Sequence, residues 1–174
     1  AARRLARRFE LSLSAAACQR ALARTCRGLY LEAEGLRPFP GLEHFLRTVK
    51  ERGAKTGLVS STQCREVLDA LNRFSLLPLF DVVLGGESAP RRKPAPDPYL
   101  HAARFLRARP EDCMVVEDSP PGILAGKRAG MFVVGLTAGS LPQAVSLADA
   151  AAADYGQLLR LALQWLSEQS GFGA

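Results

Sequence analysis

The chain has 174 residues, of which 48% are hydrophobic and 23% are charged, and its net charge is +6 at pH 7. This length fits one domain with at most a small appendage, and this balance of apolar and charged residues excludes a disordered chain. No apolar run is long enough to cross a bilayer, so we expect no membrane partner.

Residues 1 to about 34 predict a helical segment, because Leu5, Phe9 and Leu13 recur at i, i+4 and i+8. The stretch FELSLS, residues 9–14, also alternates as a strand would, so a strand is the alternative there. The following GLRPFPG, residues 35–41, contains two prolines and two glycines and predicts a domain boundary or hinge.

Regular alternation of helices and strands follows this break. Apolar residues at helical spacing begin with Leu42 and end before Gly53, and Asp97 is expected to cap a later helix with Pro98 at its first position. Four short apolar stretches predict strands, and five further stretches predict helices. The strands are KTGLVSS, FDVVLGG, CMVVED and MFVVGL; the helices begin near residues 42, 64, 97 and 120, and a last one covers residues 158–166. Such alternation indicates an α/β fold with a parallel sheet.

The cysteines predict the cellular location of the protein, and the distribution of basic residues bears on nucleic-acid binding. Cys18, Cys26, Cys64 and Cys113 form no CxxC pair and no cluster with histidine, which predicts reduced thiols in a cytoplasmic protein. The basic residues are mostly scattered arginines without a nucleic-acid-binding motif. We therefore predict no nucleic-acid partner, and a basic nucleic-acid-binding domain is the weakest functional alternative.

Polar residues follow three of the predicted segments at what should be one edge of the sheet. Ser60 and Ser61 end one strand, Glu117 and Asp118 end another, and Lys93 lies in the connection between them. Ligands of parallel α/β sheets bind beyond the carboxyl ends of the strands. Two carboxylates about 5 Å apart repel by about 3 kcal/mol at an effective dielectric of about 20, so a divalent cation or a lysine is expected nearby. A helix N-terminus favouring negative charge is the alternative explanation for this acidic pair.

Three motifs in order resemble the haloacid dehalogenase superfamily, in particular its phosphatases and β-phosphoglucomutase-like enzymes with a helical cap. They are LVSST at residues 58–62, RRKPAPDPYL at 91–100 and VVEDSPPGILAGKRAGM at 115–131, and PFPGLEHFLRTVKERG at 38–53 resembles the return from cap to core. The resemblance implies a three-layer, Rossmann-like parallel sheet at residues 37–174, with a partial helical cap at residues 1–36.

The same resemblance implies roles for the residues at the strand ends. Ser60 and Ser61 would bind a phosphoryl group, Lys93 would supply positive charge to the phosphate and the nucleophile, and Asp118 with Glu117 would hold Mg²⁺. The implied substrate is a small phosphorylated metabolite such as a sugar phosphate. An aspartyl-phosphate intermediate is implied as well.

One element of the family pattern is missing from this sequence. The attacking aspartate of the superfamily lies in a DxDxT-type motif on the first strand, and no DxD occurs in the 174 residues. We therefore expect an N-terminally truncated form, inactive by itself, whose sheet has a gap between the GLVSS and CMVVED strands. The alternative is a non-catalytic relative that binds phosphate compounds or a protein partner.

Overall fold

The computed structural model describes residues 36–138 and 145–170, and the residues from Pro38 onward belong to one compact unit. The predicted cap, with its boundary at residue 36, and the alternating stretch at residues 9–14 lie outside the described residues. Among the described residues, no helix combines the length and apolar character needed to span a membrane.

Five α-helices and five β-strands occur in the described part of the chain. In chain order they are α1 (Leu42–Glu51), β1 (Gly57–Val59), α2 (Cys64–Arg73), β2 (Val82–Leu84), α3 (Asp97–Leu106), β3 (Met114–Glu117), α4 (Pro120–Arg128), β4 (Phe132–Leu136), β5 (Ala150–Ala152) and α5 (Tyr155–Ser170). Short 3₁₀ turns at Leu77–Leu79 and Pro110–Asp112 precede β2 and β3. The α/β class predicted from the sequence is confirmed.

All strand pairs are parallel, and they form two separate sheets. β1 pairs with β2, whereas β3, β4 and β5 form a second sheet in that order. Within the described residues no strand joins β1 to β3. Strand β5 was not predicted, because the alanine run from which it forms lacks the β-branched side chains that usually mark strands.

Helices cover both faces of the strands in three layers. On one face, α3 and α4 pack against Val115 and Val133 through residues such as Ala103 and Ile123. On the other face, α1 and α2 pack over Leu58, and Leu158 of α5 packs over the second sheet. Because side chains alternate between faces along a strand, each central strand contributes to both helical layers.

The start of α3 differs from the expectation. Asp97 is the first helical residue and caps nothing with its side chain, since the N-cap position belongs to Pro96. The Asp97 carboxylate instead accepts a 3.0 Å hydrogen bond from Arg91 Nε. Pro98 therefore occupies the second helical position, where its missing N–H is also harmless. At the end of α4 the structure agrees with the expectation. Gly130 follows this helix and adopts the left-handed conformation, with φ 76°.

Candidate active site

Lys93 connects the carboxyl ends of the two sheets. Its ammonium nitrogen Nζ donates a 3.0 Å hydrogen bond to the main-chain oxygen of Val59, the last residue of β1. The same nitrogen forms an ion pair with Oε1 of Glu117, the last residue of β3. Both ends of this ion pair are almost fully buried, with side-chain exposures of 9% for Lys93 and 8% for Glu117. Lys93 thus contacts the residue that precedes Ser60 and the residue that precedes Asp118.

Each oxygen of the Glu117 carboxylate accepts hydrogen bonds from two protein donors. Oε1 accepts from Lys93 and, at 2.6 Å, from the Tyr99 hydroxyl. Oε2 accepts from the main-chain N–H of Ser119 at 3.1 Å and from its hydroxyl at 2.8 Å. The hydroxyl oxygen of Ser119 accepts in turn from Gly122 N–H, and this contact caps α4.

The environment keeps Glu117 ionised. Burial alone would raise the pKa of this carboxyl, but the charge of Lys93 and hydrogen bonds from Lys93, Tyr99 and Ser119 outweigh burial and lower the pKa. A buried charge normally requires such a pairing, because desolvation without compensation is very costly. The opposite shift occurs at Tyr99, where burial and the neighbouring Glu117 charge raise the pKa of the phenol.

Tyr99 supports both members of the ion pair. Its ring centroid lies 4.7 Å from Lys93 Nζ, within cation–π range, while its hydroxyl reaches Glu117. No role was predicted for Tyr99 or Ser119 from the sequence. A signal was present for Tyr99, because it shares a buried helix face with Ala102 and Ala103 and a buried tyrosine hydroxyl needs a partner.

The loop after β1 carries the two serines. Ser60 Oγ accepts a 3.0 Å hydrogen bond from Thr62 N–H, which leaves the hydroxyl proton available to an external acceptor. Ser61 is exposed, one residue further along. The loop after β2 packs tightly against this segment, since a Cβ on Gly86 would lie 2.3 Å from the Ser61 main-chain oxygen. Glycine at that position therefore fixes how closely the two loops approach.

Asp118 is the acidic residue with an accessible carboxylate. It is exposed at the end of β3, and no hydrogen bond or ion pair within the described part of the chain engages it. Its charge nevertheless reaches the interior, since it contributes to the raised pKa values of Tyr99 and Tyr155. Across residues 36–138 and 145–170, no group of three or more His, Cys, Asp or Glu side chains could hold a metal ion.

The chain resembles phosphatases and phosphomutases over most of its length. It is 31% identical to a bifunctional riboflavin kinase/FMN phosphatase of Arabidopsis thaliana, over 76% of this chain and 35% of that protein. It is 36% identical to hexitol phosphatase A of Escherichia coli, over 62% of this chain and 49% of the relative. The curated relatives are longer, and the chain spans between 35% and 57% of their lengths.

A solved structure shares the fold. The β-phosphoglucomutase of Clostridium difficile superimposes with a TM-score of 0.75 and 26% identity, covering 91% of this chain and 71% of that one. The family model for haloacid dehalogenase-like hydrolases matches residues 3–136, which include β1, Lys93 and the acidic pair at the end of β3. With the motifs, the parallel α/β architecture and this match in agreement, the chain belongs to the haloacid dehalogenase-like hydrolase family.

Proposed function

We propose that these residues form most of a Mg²⁺-dependent phosphatase or phosphomutase that acts on a small phosphorylated metabolite such as a sugar phosphate. The observation that carries the proposal is the position of Lys93, whose ammonium contacts the ends of β1 and β3 at the residues that precede Ser60 and Asp118. An ammonium has three donors, and two are used by Val59 and Glu117, so one N–H is available for a phosphoryl oxygen.

The proposed reaction uses an aspartate from outside these 174 residues. An oxygen of that carboxylate bonds to phosphorus while the bond from phosphorus to the substrate oxygen breaks, and the departing oxygen takes a proton. Water or a second substrate hydroxyl then attacks phosphorus and breaks the aspartyl–phosphate bond. Throughout, the Lys93 ammonium and the Ser60 hydroxyl donate hydrogen bonds to phosphoryl oxygens, and Ser61 extends this anion-binding segment.

The accessible carboxylate of Asp118 fits Mg²⁺, which prefers hard oxygen ligands and retains several waters. Asp118 would hold the ion directly, and Glu117 would support it through water because its oxygens already accept from protein donors. When bound, Mg²⁺ would neutralise part of the phosphate charge. The free thiols of Cys64 and Cys113 are compatible with a cytoplasmic location.

The test compares the complete gene product containing this sequence with the 174-residue chain, using p-nitrophenyl phosphate and a panel of sugar phosphates. We expect Mg²⁺-dependent hydrolysis by the complete product and none by the 174-residue chain. Lys93→Met and Asp118→Asn should each abolish turnover in the complete product. Full activity of the Asp118→Asn variant, or turnover without any metal, would contradict the proposal.

A non-catalytic phosphate-binding protein is the second candidate, favoured by the absence of a DxD aspartate from the 174 residues. The two candidates differ in one result. If the complete gene product binds sugar phosphates through Lys93 but forms no acid-labile phosphoenzyme and releases no phosphate, the non-catalytic function is correct.

A further inference from the structure

The ammonium of Lys93 meets the protein on three sides. Its nitrogen Nζ donates to the main-chain oxygen of Val59 at 3.0 Å, pairs with Glu117 Oε1 and lies 4.7 Å from the ring centroid of Tyr99. The ring attracts the positive charge through its electron-rich face and needs no particular N–H for this. Because the two hydrogen bonds use two of the three donors, the direction of the third N–H follows from these contacts.

Tyr99 is itself held in one position by the core. Only 7% of the residue is exposed, and it belongs to the same buried cluster as Ala103, Val115 and Ile123. It is the third residue of α3, and its main-chain N–H donates to the oxygen of Pro96 at 3.1 Å. An aromatic side chain has only two rotatable bonds, so close packing of the ring also fixes its hydroxyl.

Lys93, in contrast, reaches the site on a flexible side chain. A lysine ammonium lies at the end of four carbons and can donate in several directions, so its orientation depends on its partners. One partner, the oxygen of Val59, belongs to main chain that is fixed by the pairing of β1 with β2. The other partner is the carboxylate of Glu117, which can rotate about its own side-chain bonds.

Tyr99 fixes the carboxylate oxygen that Lys93 uses. Ser119 donates to Oε2 of Glu117 through its N–H and its hydroxyl. Oε1 receives the Lys93 ammonium and the Tyr99 hydroxyl, and the hydroxyl bond is 2.6 Å long and buried. Hydrogen bonds to ionised acceptors are strong ones. Without this hydroxyl, Oε1 could turn about Oε2 and take the ammonium with it.

We propose that Tyr99 is a positioning residue for the proposed phosphoryl transfer. It fixes the Glu117 oxygen and the Lys93 ammonium so that the third N–H of Lys93 is presented to a phosphoryl oxygen. This last step rests on the proposed function, whereas the orientation of the ammonium concerns the 174-residue chain alone. Tyr99 itself transfers no proton, because its hydroxyl faces Glu117 in the interior and the raised pKa of the phenol keeps it a donor.

Tyr99→Phe is the decisive variant, since it removes the hydroxyl and keeps the ring. The kinetic test uses the complete gene product, p-nitrophenyl phosphate and Mg²⁺. We expect kcat to fall about tenfold while KM changes less than about threefold. The reason is that the other contacts still hold the substrate, whereas a misaligned donor stabilises the transition state less well.

Thr56→Val is the matched control. Thr56 is 8% exposed, and its hydroxyl donates a 2.5 Å hydrogen bond to the oxygen of Leu79. The variant therefore also removes one buried hydroxyl, but it does so before the first residue of β1, at the end opposite to Val59. We expect kcat and KM to stay within about twofold of the original values. Circular dichroism checks that both variants are folded.

A second measurement observes the ammonium directly and needs no turnover. The chain contains only four lysines, so the ammonium groups of the 174-residue chain can be resolved in a ¹H–¹⁵N spectrum. They are Lys50, Lys55, Lys93 and Lys127. Lys93→Arg identifies the Lys93 signal by its loss. We expect slow proton exchange at Lys93 in the original chain, exchange about tenfold faster in Tyr99→Phe, and no change in Thr56→Val. Lys127, which pairs with Asp149, is the internal reference.

Several results would overturn the inference. They are an unchanged kcat in Tyr99→Phe, an equal fall of kcat in Thr56→Val, and Lys93 exchange that is fast in the original chain or equal in Tyr99→Phe. If the complete product is active and loses turnover in Lys93→Met but not in Tyr99→Phe, the inference fails and the proposed function does not. If Tyr99→Phe loosens the ammonium but the complete product neither binds nor hydrolyses phosphate esters, Tyr99 orients Lys93 and the proposed function fails.

Discussion

The Tyr99 hydroxyl donates a 2.6 Å hydrogen bond to Glu117 Oε1, the same oxygen that pairs with the Lys93 ammonium. One carboxylate oxygen thus serves two donors from a single segment of chain, the lysine before α3 and the tyrosine in its first turn. The consequence is that α3 and the end of β3 are held in one relative position, although they are far apart in sequence.

Tyr99→Phe should test the energetic importance of this hydrogen bond. The ring, its packing and its contact with Lys93 are retained, while one donor to a buried charge is lost. We expect a loss of about 1.5 to 3 kcal/mol in the free energy of unfolding, measured by urea titration. Tyr155→Phe is the control, since no hydrogen bond of its hydroxyl occurs among the described residues, and it should cost less than about 0.5 kcal/mol. Equal losses in the two variants would contradict the role of the Tyr99 hydroxyl.

Lys93→Met should destabilise the chain more severely. It leaves the buried Glu117 carboxylate without its counter-charge, and removing one partner of a buried pair typically costs about 3 to 5 kcal/mol. Adding Glu117→Gln to Lys93→Met should recover part of this loss, because the uncompensated charge disappears. The comparison is a double-mutant cycle in urea. Strictly additive single and double losses would show that the two side chains are not coupled.

Acid should weaken the fold through Glu117. Because the folded chain holds the pKa of this carboxyl below its usual value of 4.5, the folded state binds fewer protons than the unfolded state. The stabilisation is therefore complete above about pH 5 and decreases as the pH falls through the lower folded pKa. Asp81 contributes with the same sign, since hydrogen bonds from Lys50 and Thr56 lower its pKa.

Urea titrations between pH 7 and pH 3 measure this dependence. The Glu117→Gln variant should lose stability less steeply below pH 5 than the original chain. Glu43→Gln, which removes an exposed carboxylate bonded to Arg47 of the same helix, is the matched control and should keep the original slope. An unchanged slope in Glu117→Gln would assign the acid sensitivity to other carboxylates.

Gly122→Ala should reveal how closely α4 approaches the ion pair. A Cβ at this position would lie 2.0 Å from the Glu117 carboxyl carbon, so the carboxylate would have to leave its donors. Alanine favours a helix by about 1 kcal/mol over glycine, yet we expect a net loss of stability. In a Glu117→Ala background the same substitution should become neutral or stabilising. Thermal melts of the four proteins decide the question, and a stabilising effect in the original background would refute the close approach.

Mg²⁺ should stabilise the 174-residue chain only slightly. Asp118 offers one accessible carboxylate, and Mg²⁺ remains largely hydrated unless several ligands converge, so we expect a Kd on the order of millimolar or weaker. Linkage then yields less than about 0.5 kcal/mol when the ion concentration is near or below Kd. Thermal melts with and without Mg²⁺ measure this, with Asp118→Asn as the control. A shift of several degrees at sub-millimolar Mg²⁺ would mean that the chain already holds a complete metal site.

The sequence by itself determined the parts of the fold that depend on local chemistry. Apolar periodicity identified α1 and α2, the glycines at 53 and 130 marked turns after helices, and four β-branched runs became parallel strands. The order of these elements also predicted that Ser60, Lys93 and Asp118 belong to one edge, because parallel strands bring their carboxyl ends together. These conclusions need no knowledge of which side chains touch.

Tertiary structure decided how the acidic pair divides its roles. In the sequence, Glu117 and Asp118 are adjacent carboxylates, and both were predicted to hold Mg²⁺. In the fold, alternation along β3 turns Glu117 inward to Lys93, Tyr99 and Ser119, and leaves Asp118 exposed. The pairing of β5 with β4 likewise became visible only in three dimensions, because strand pairing depends on neighbours that are distant along the chain and not on local propensity alone.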